Sequence, residues 1–110
     1  MKTIFNLFRH TDIYDIDLET LYNMKIQGAK IVDVRSKREF EEGHIEGSIN
    51  IPDYEINSKF EKLFTNYNQI IVLYCSSGER SKKVCKKLLK KGYTNVFNLY
   101  GGIDNWKNIC

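Results

Sequence analysis

The residues best suited to chemistry in this 110-residue chain fall in one stretch, Cys75-Ser76-Ser77-Gly78-Glu79-Arg80-Ser81. Cys75 follows an apolar run, Ile70-Ile71-Val72-Leu73-Tyr74, which reads as a central parallel strand. It precedes an amphipathic segment that reads as a helix. In open α/β sheets, ligands bind at the carboxyl ends of strands, beside helix N-termini. Unpaired N–H groups and the positive end of the helix dipole there stabilise a thiolate, the nucleophilic form of cysteine. Gly78 admits backbone geometry closed to other residues. Ser76, Ser77 and Ser81 offer small hydroxyls, and Arg80 a permanent cation able to grip an oxyanion. The segment is therefore expected to cup a sulfur atom and its anionic cargo with N–H donors. A strand-final cysteine taken alone is more often a small buried hydrophobe. The glycine, three serines and arginine within the next six residues favour the reactive reading.

Asp33 and Arg35 close another expected strand on the same sheet edge, where they would either orient the loop or form an ion pair and turn cap. His44, in Gly43-His44-Ile45, reads as a hydrogen-bonded turn histidine rather than a base. Cys85 lies on an apolar helix face and reads as inert core. Cys110 ends the sequence and reads as an exposed bystander, with sulfur relay or an intermolecular disulfide as alternatives. Trp106 reads as packing. Three cysteines and two histidines without tight spacing make neither a disulfide framework nor a zinc site. No metal or cofactor is expected, and free thiols suit a reducing cytoplasm.

The elements that must position these groups alternate. A helix is expected over Asp17–Gln27, with Leu18, Leu21, Tyr22 and Ile26 at helical spacing and Gly28 as a stop. Ala29–Val34 reads as a buried strand. Ser36 caps a short helix through Glu42, with Glu39 completing a capping box and Gly43 ending it. Ser48–Ile51 is a short strand stopped by Pro52. Asp53–Phe64 reads as a helix with Ile56, Phe60, Leu63 and Phe64 on one side. Gln69–Tyr74 is the clearest strand. The helix after the loop carries Val84, Cys85, Leu88 and Leu89 as its apolar face and ends at Gly92. Asn95–Leu99 is a final strand, and Gly101-Gly102 opens a last helix. Alternating strands and helices predict an α/β fold with a mostly parallel central sheet.

Five motifs in this order resemble the rhodanese-like family: Asp33-Val34-Arg35; Glu39-Phe40; Gly43-His44-Ile45 with Gly47-Ser48-Ile49-Asn50-Ile51-Pro52; the Tyr74–Ser81 segment; and Gly101-Gly102 with Trp106. The resemblance spans about residues 15–107 and implies one rhodanese-like domain across 1–110, a three-layer fold with helices on both sides of the sheet. It also implies a sulfurtransferase. Cys75 would take the outer sulfur of thiosulfate or a persulfide and pass it, as a persulfide, to a thiol or cyanide. Ser76, Ser77, Gly78, Glu79, Arg80 and Ser81 would bind the substrate. The alternative is a catalytically weak binding or sulfur-sensing module. A Cdc25-like phosphatase or arsenate reductase fits less well. Phosphatase loops place one more residue between Cys and Arg than the four found here, and no aspartate is placed as general acid. Glu79 puts a carboxylate in the loop where it would offset Arg80, so thiosulfate, a dianion, is expected to be a poor donor.

With 42% hydrophobic and 28% charged residues the chain can build a core, and no apolar run approaches the roughly 20 residues of a membrane span. Met1–His10 does not read as a signal peptide. The net charge of +3 is misleading as an average. Lys82, Lys83, Lys86, Lys87, Lys90 and Lys91 lie together without an acid among them. The rest holds 11 basic against 14 acidic residues. A mildly acidic body with one basic helix argues against nucleic acid as a partner. That helix is a solvated face or a dock for an acidic sulfur-carrier protein. A monomer is expected.

Overall fold

The computed structural model describes residues 14–109, with side chains through Asn105. In chain order the elements are β1 (Asp15–Ile16), α1 (Leu18–Ile26), β2 (Lys30–Asp33), α2 (Lys37–Glu42), β3 (Ile49–Asn50), a 3₁₀ turn (Asp53–Glu55), α3 (Ile56–Leu63), β4 (Ile71–Tyr74), α4 (Glu79–Lys90), β5 (Val96–Leu99) and α5 (Gly102–Ile109). The sheet runs β1-β5-β4-β2-β3 and every pairing is parallel. β4 is central. Its four residues are fully buried, as a strand covered on both faces must be.

The pleat of β4 sorts the core. Ile71, Leu73 and, beyond the strand, Cys75 point to a layer shared with Ile56 and Phe60 of α3 and Val84, Cys85 and Leu88 of α4. Val72 and Tyr74 point the other way, to Leu21 of α1, Ile45 and Ile103 of α5. The period of two therefore sends Cys75 towards α4.

Local signals act as read. Asp17 caps α1 by accepting from Thr20 N–H, and the Ser36/Glu39 capping box is complete. Four expectations need correction. β1 is an addition, because two residues are too short to show a period. The segment expected as one helix from Asp53 opens as a 3₁₀ turn before α3 begins at Ile56. Glu79, Arg80 and Ser81 belong to the first turn of α4 rather than to a loop. Ile26 is 84% exposed and Leu63 55%, so neither lies on its helix's core face. Ile26 stands about 140° around the helix from the buried Leu21, and the stripe on α3 is Ile56, Phe60 and Phe64, spaced by four. No helix among the described residues is long and apolar enough to cross a membrane.

Candidate active site at the carboxyl end of the sheet

α4 begins at Glu79, four residues beyond Cys75, and lacks a side-chain cap. Its N-cap is Gly78, in a left-handed conformation at φ +97°. A Cβ there would stand 3.1 Å from Gly101 N and 3.3 Å from Leu99 O. The Cys75 sulfur takes the cap's place, accepting from Gly78 N–H at 3.1 Å and Ser81 N–H at 3.4 Å. These are charge-stabilising donors for an anionic sulfur at the positive end of a 12-residue helix. The N–H groups of Ser77, Glu79 and Arg80 have no hydrogen-bond acceptor among the described residues.

A second helix holds the loop from behind. Ile103 and Asp104, in the first turn of α5, donate their N–H groups to the carbonyls of Cys75 and Ser76, both at 2.9 Å. This requires Gly102, at φ +66°, where a Cβ would come within 2.3 Å of Ser76 O.

A third contact joins α2. Glu39 receives both terminal nitrogens of Arg80 at 3.0 Å, while Ser76 Oγ lies 3.4 Å from it and 3.2 Å from Arg80 Nη2. The carboxylate that offsets Arg80 is therefore Glu39, not Glu79. The Arg80 hydrogen bonds are the main cause that holds the Glu39 carboxyl down at about 2, against opposition from partial burial and with help from Ser36. Glu39 is thus depressed in the folded chain. It adds stability above its unfolded value, near 4.5, and loses it as pH falls towards 2. Both groups are about a third exposed, so solvent screening limits the gain to about 1 kcal/mol. Glu39→Gln is expected to melt a few degrees below wild type at pH 7, with the gap closing as acid approaches pH 2. A gap that did not narrow across thermal melts from pH 7 to pH 2 would contradict this role.

Ser81 is fully buried, with its Oγ 3.4 Å from the sulfur and 2.5 Å from Asn98 Oδ1. Asn98 is itself held through its Nδ2, 2.9 Å from Asp15 Oδ1. Sequence reasoning missed both Asn98 and Asp15. A single polar residue inside Val96-Phe97-Asn98-Leu99 is the signal that could have marked Asn98.

Asp33 and Arg35 reach the same sheet edge but do not orient the loop directly. They form a buried ion pair at 2.8 Å, Asp33 also caps Arg35 N–H, and Arg35 Nη2 donates to Gly43 O at 2.6 Å. Among the described residues neither side chain bonds to Cys75–Ser81; Asp33 is too short, and its partner turns Arg35 towards the end of α2. His44 lies exposed, stacked on Phe40 at 3.7 Å with Nδ1 2.8 Å from Phe40 O, as a turn histidine should. Cys85 is fully buried and burial pushes its thiol up to about 12, which suits an inert core residue. The packing of Trp106 and the placement of Cys110 lie outside the described residues.

Along α4, Lys83, Lys86, Lys87 and Lys90 are exposed or partly so, while Lys82 approaches Asp15 and Lys91 approaches Glu61. Lys82, Lys83 and Lys86 line a groove of about 640 Å³ with Tyr100 and Asn105. The groove abuts the outer side of the loop at Ser77–Glu79, and Cys75 does not line it.

The family model of the rhodanese-like domain matches residues 17–109. The chain is 37% identical over 78 residues to YqhL of Bacillus subtilis, an uncharacterized protein, a match that covers 71% of this chain and 60% of that one. It is 32% identical over 92 residues to the thiosulfate sulfurtransferase GlpE of Haemophilus influenzae, covering 84% of this chain and 86% of that one. Among solved structures, the human single-domain sulfurtransferase TSTD1 superimposes with a TM-score of 0.78 at 26% identity, over 88% of this chain and 97% of that one.

Proposed function

The chain belongs to the rhodanese-like domain family, and on that premise we propose that it is a sulfurtransferase working through a Cys75 persulfide. The observation that carries this reading is the sulfur at the N-terminus of α4, held by the backbone N–H groups of Gly78 and Ser81. The Cys75 thiolate attacks the outer sulfur of a donor R–S–SH. The donor S–S bond breaks, R–S⁻ leaves, and Cys75–S–SH forms; with thiosulfate the leaving group is sulfite. An acceptor thiolate then attacks the outer sulfur, and Cys75 leaves as thiolate. The Cys75 sulfur is anionic before the first half-reaction and becomes anionic again as the leaving group of the second, and the Gly78 and Ser81 N–H groups already face it, so little reorganisation is required. Ser76, Ser77 and the first turn of α4 would bind the donor, and the lysines of α4 would dock an acidic sulfur-carrier protein.

The donor preference follows from charge. Arg80 is neutralised by Glu39, while Glu79, exposed in the first turn of α4 and without an ion pair among the described residues, disfavours a dianion. A persulfide of a small thiol is the better-matched donor. Glu79→Gln is expected to raise kcat/KM for thiosulfate about fivefold, with a smaller rise for a persulfide and a smaller rise again at high salt. Equal rises for both donors would refute the charge argument.

The transfer reading is tested by intact mass. After incubation with thiosulfate or glutathione persulfide, the protein should gain one sulfur and lose it to cyanide. No gain with any donor would leave the binding-module alternative.

A further inference from the structure

The Ser81 hydroxyl lies beside the reactive sulfur yet has a nearer partner. Its oxygen is 3.4 Å from Cys75 Sγ, 3.3 Å from Gly78 O and 2.5 Å from Asn98 Oδ1. A serine has one hydrogen to give, so only one of these can receive it at a time. The other end of Asn98 settles which. Asn98 Nδ2 is 2.9 Å from Asp15 Oδ1. A carboxylate accepts only, so the amide nitrogen must face Asp15 and the amide oxygen must face Ser81. An amide oxygen also accepts only, so Ser81 must donate to it. The hydrogen of Ser81 is thereby turned away from the sulfur, which meets the lone pairs of Oγ instead. Asn98 is 2% exposed, Ser81 is fully buried, and the Asp15 side chain is 2% exposed. The order of donors is therefore fixed within the protein rather than shared with solvent.

We propose that Asn98, anchored by Asp15, is a positioning residue that withholds the Ser81 hydroxyl hydrogen from Cys75. The resting S–H group then has an acceptor in Ser81 Oγ, while an anionic sulfur is served by the N–H groups of Gly78 and Ser81. The network tempers the activating effect of the helix terminus. It rests on the reading above only in taking Cys75 as the reactive thiol. The charged groups around this pocket are Glu79, Arg80 and Lys82 of α4, Glu39 of α2, Asp53 of the 3₁₀ turn and Asp15 of β1.

The test is alkylation of Cys75 by iodoacetamide in the full chain across pH, read by peptide mass so that Cys85 and Cys110 do not interfere. Asn98→Leu removes the nearest acceptor and leaves the Ser81 hydrogen to be shared between the sulfur at 3.4 Å and Gly78 O at 3.3 Å, with an anionic sulfur the stronger acceptor. On the rising limb of the pH–rate profile the rate should rise about fivefold to tenfold, less than the full worth of a hydrogen bond to an anion because Gly78 O competes for the hydrogen. Combined with Ser81→Ala, the same change should give no rise over Ser81→Ala alone. A folded Asn98→Leu protein that reacts no faster than wild type overturns the proposal, as does a rise that survives loss of the Ser81 hydroxyl. If the leucine variant does not fold, Asp15→Ala decides. Without the carboxylate Asn98 is free to turn its amide nitrogen towards Ser81, which then cannot donate to it. The alanine variant must react faster than wild type and must lose that rise when Ser81→Ala is added; an unchanged rate, or a rise that survives loss of the hydroxyl, sinks the idea. Alkylation does not depend on turnover. A chain that responds as expected but never takes up sulfur refutes the transfer reading and leaves the network in place.

Discussion

Cys75→Ser is expected to lose sulfur transfer by at least about a thousandfold, because no other described group can take over a covalent step at this position. The change is almost isosteric. A serine Oγ can accept from the Gly78 and Ser81 N–H groups as the sulfur does at 3.1 and 3.4 Å, so α4 keeps its cap. Stability should therefore stay within about 1 kcal/mol of wild type, and a thermal melt separates loss of chemistry from loss of fold. What serine cannot do is form the S–S bond that carries the cargo. After exposure to donor the wild-type peptide containing Cys75 should be heavier by one sulfur, and the serine peptide unchanged. Cys85→Ser is the matched control: a buried thiol pushed up to about 12 should not contribute, and turnover by the remaining folded protein should persist. If Cys75→Ser retained turnover and Cys110→Ser abolished it, the roles assigned to the two thiols would be reversed.

How legible the site was depends on how local its causes are. The strand before Cys75, the cap at Ser36 and the turn at Gly43 rest on neighbours within four residues, and their signals stand in the sequence. The place of Cys75 at the head of a helix is of this kind. Arg80 is different. Its partner lies 41 residues away, and Glu39 was already explained by the capping box, which concealed its second task. Asp33 and Arg35 show the opposite limit. Their place at the sheet edge was clear, but sequence could not say that an arginine two residues from an aspartate would fold back on it rather than reach forward. Asn98 and Asp15 meet across adjacent parallel strands, 83 residues apart, and β1 is too short for any periodic signal. The donor cup was thus readable, and the network that orders its donors was not.

Gly102→Ala is expected to be the most damaging change outside the cysteine, and the reason is the direction of two peptide groups. In a trans peptide the carbonyl and the N–H point opposite ways. Ile103 and Asp104 draw the carbonyls of Cys75 and Ser76 towards α5, which turns the N–H groups of Ser76 and Ser77 away from it. The inward donors thus depend on how closely α5 approaches. An alanine Cβ at 102 would lie 2.3 Å from Ser76 O and 2.6 Å from Cys75 O, both backbone atoms that no rotamer change can move. The φ of +66° adds a left-handed penalty of about 1 kcal/mol for any side chain. Loss of two backbone hydrogen bonds at about 1 kcal/mol each brings the expected cost to about 3 kcal/mol, more than about 10 °C in Tm for a chain of this size. The folded fraction should also transfer sulfur at least about tenfold more slowly, since the displaced loop no longer presents its N–H groups. Gly28→Ala isolates the conformational part. Gly28 has φ +99°, but a Cβ there would meet nothing within 4 Å, so its replacement should cost about 1 kcal/mol and leave activity alone. Equal melting shifts for the two variants would show that close approach of α5 does not set the loop.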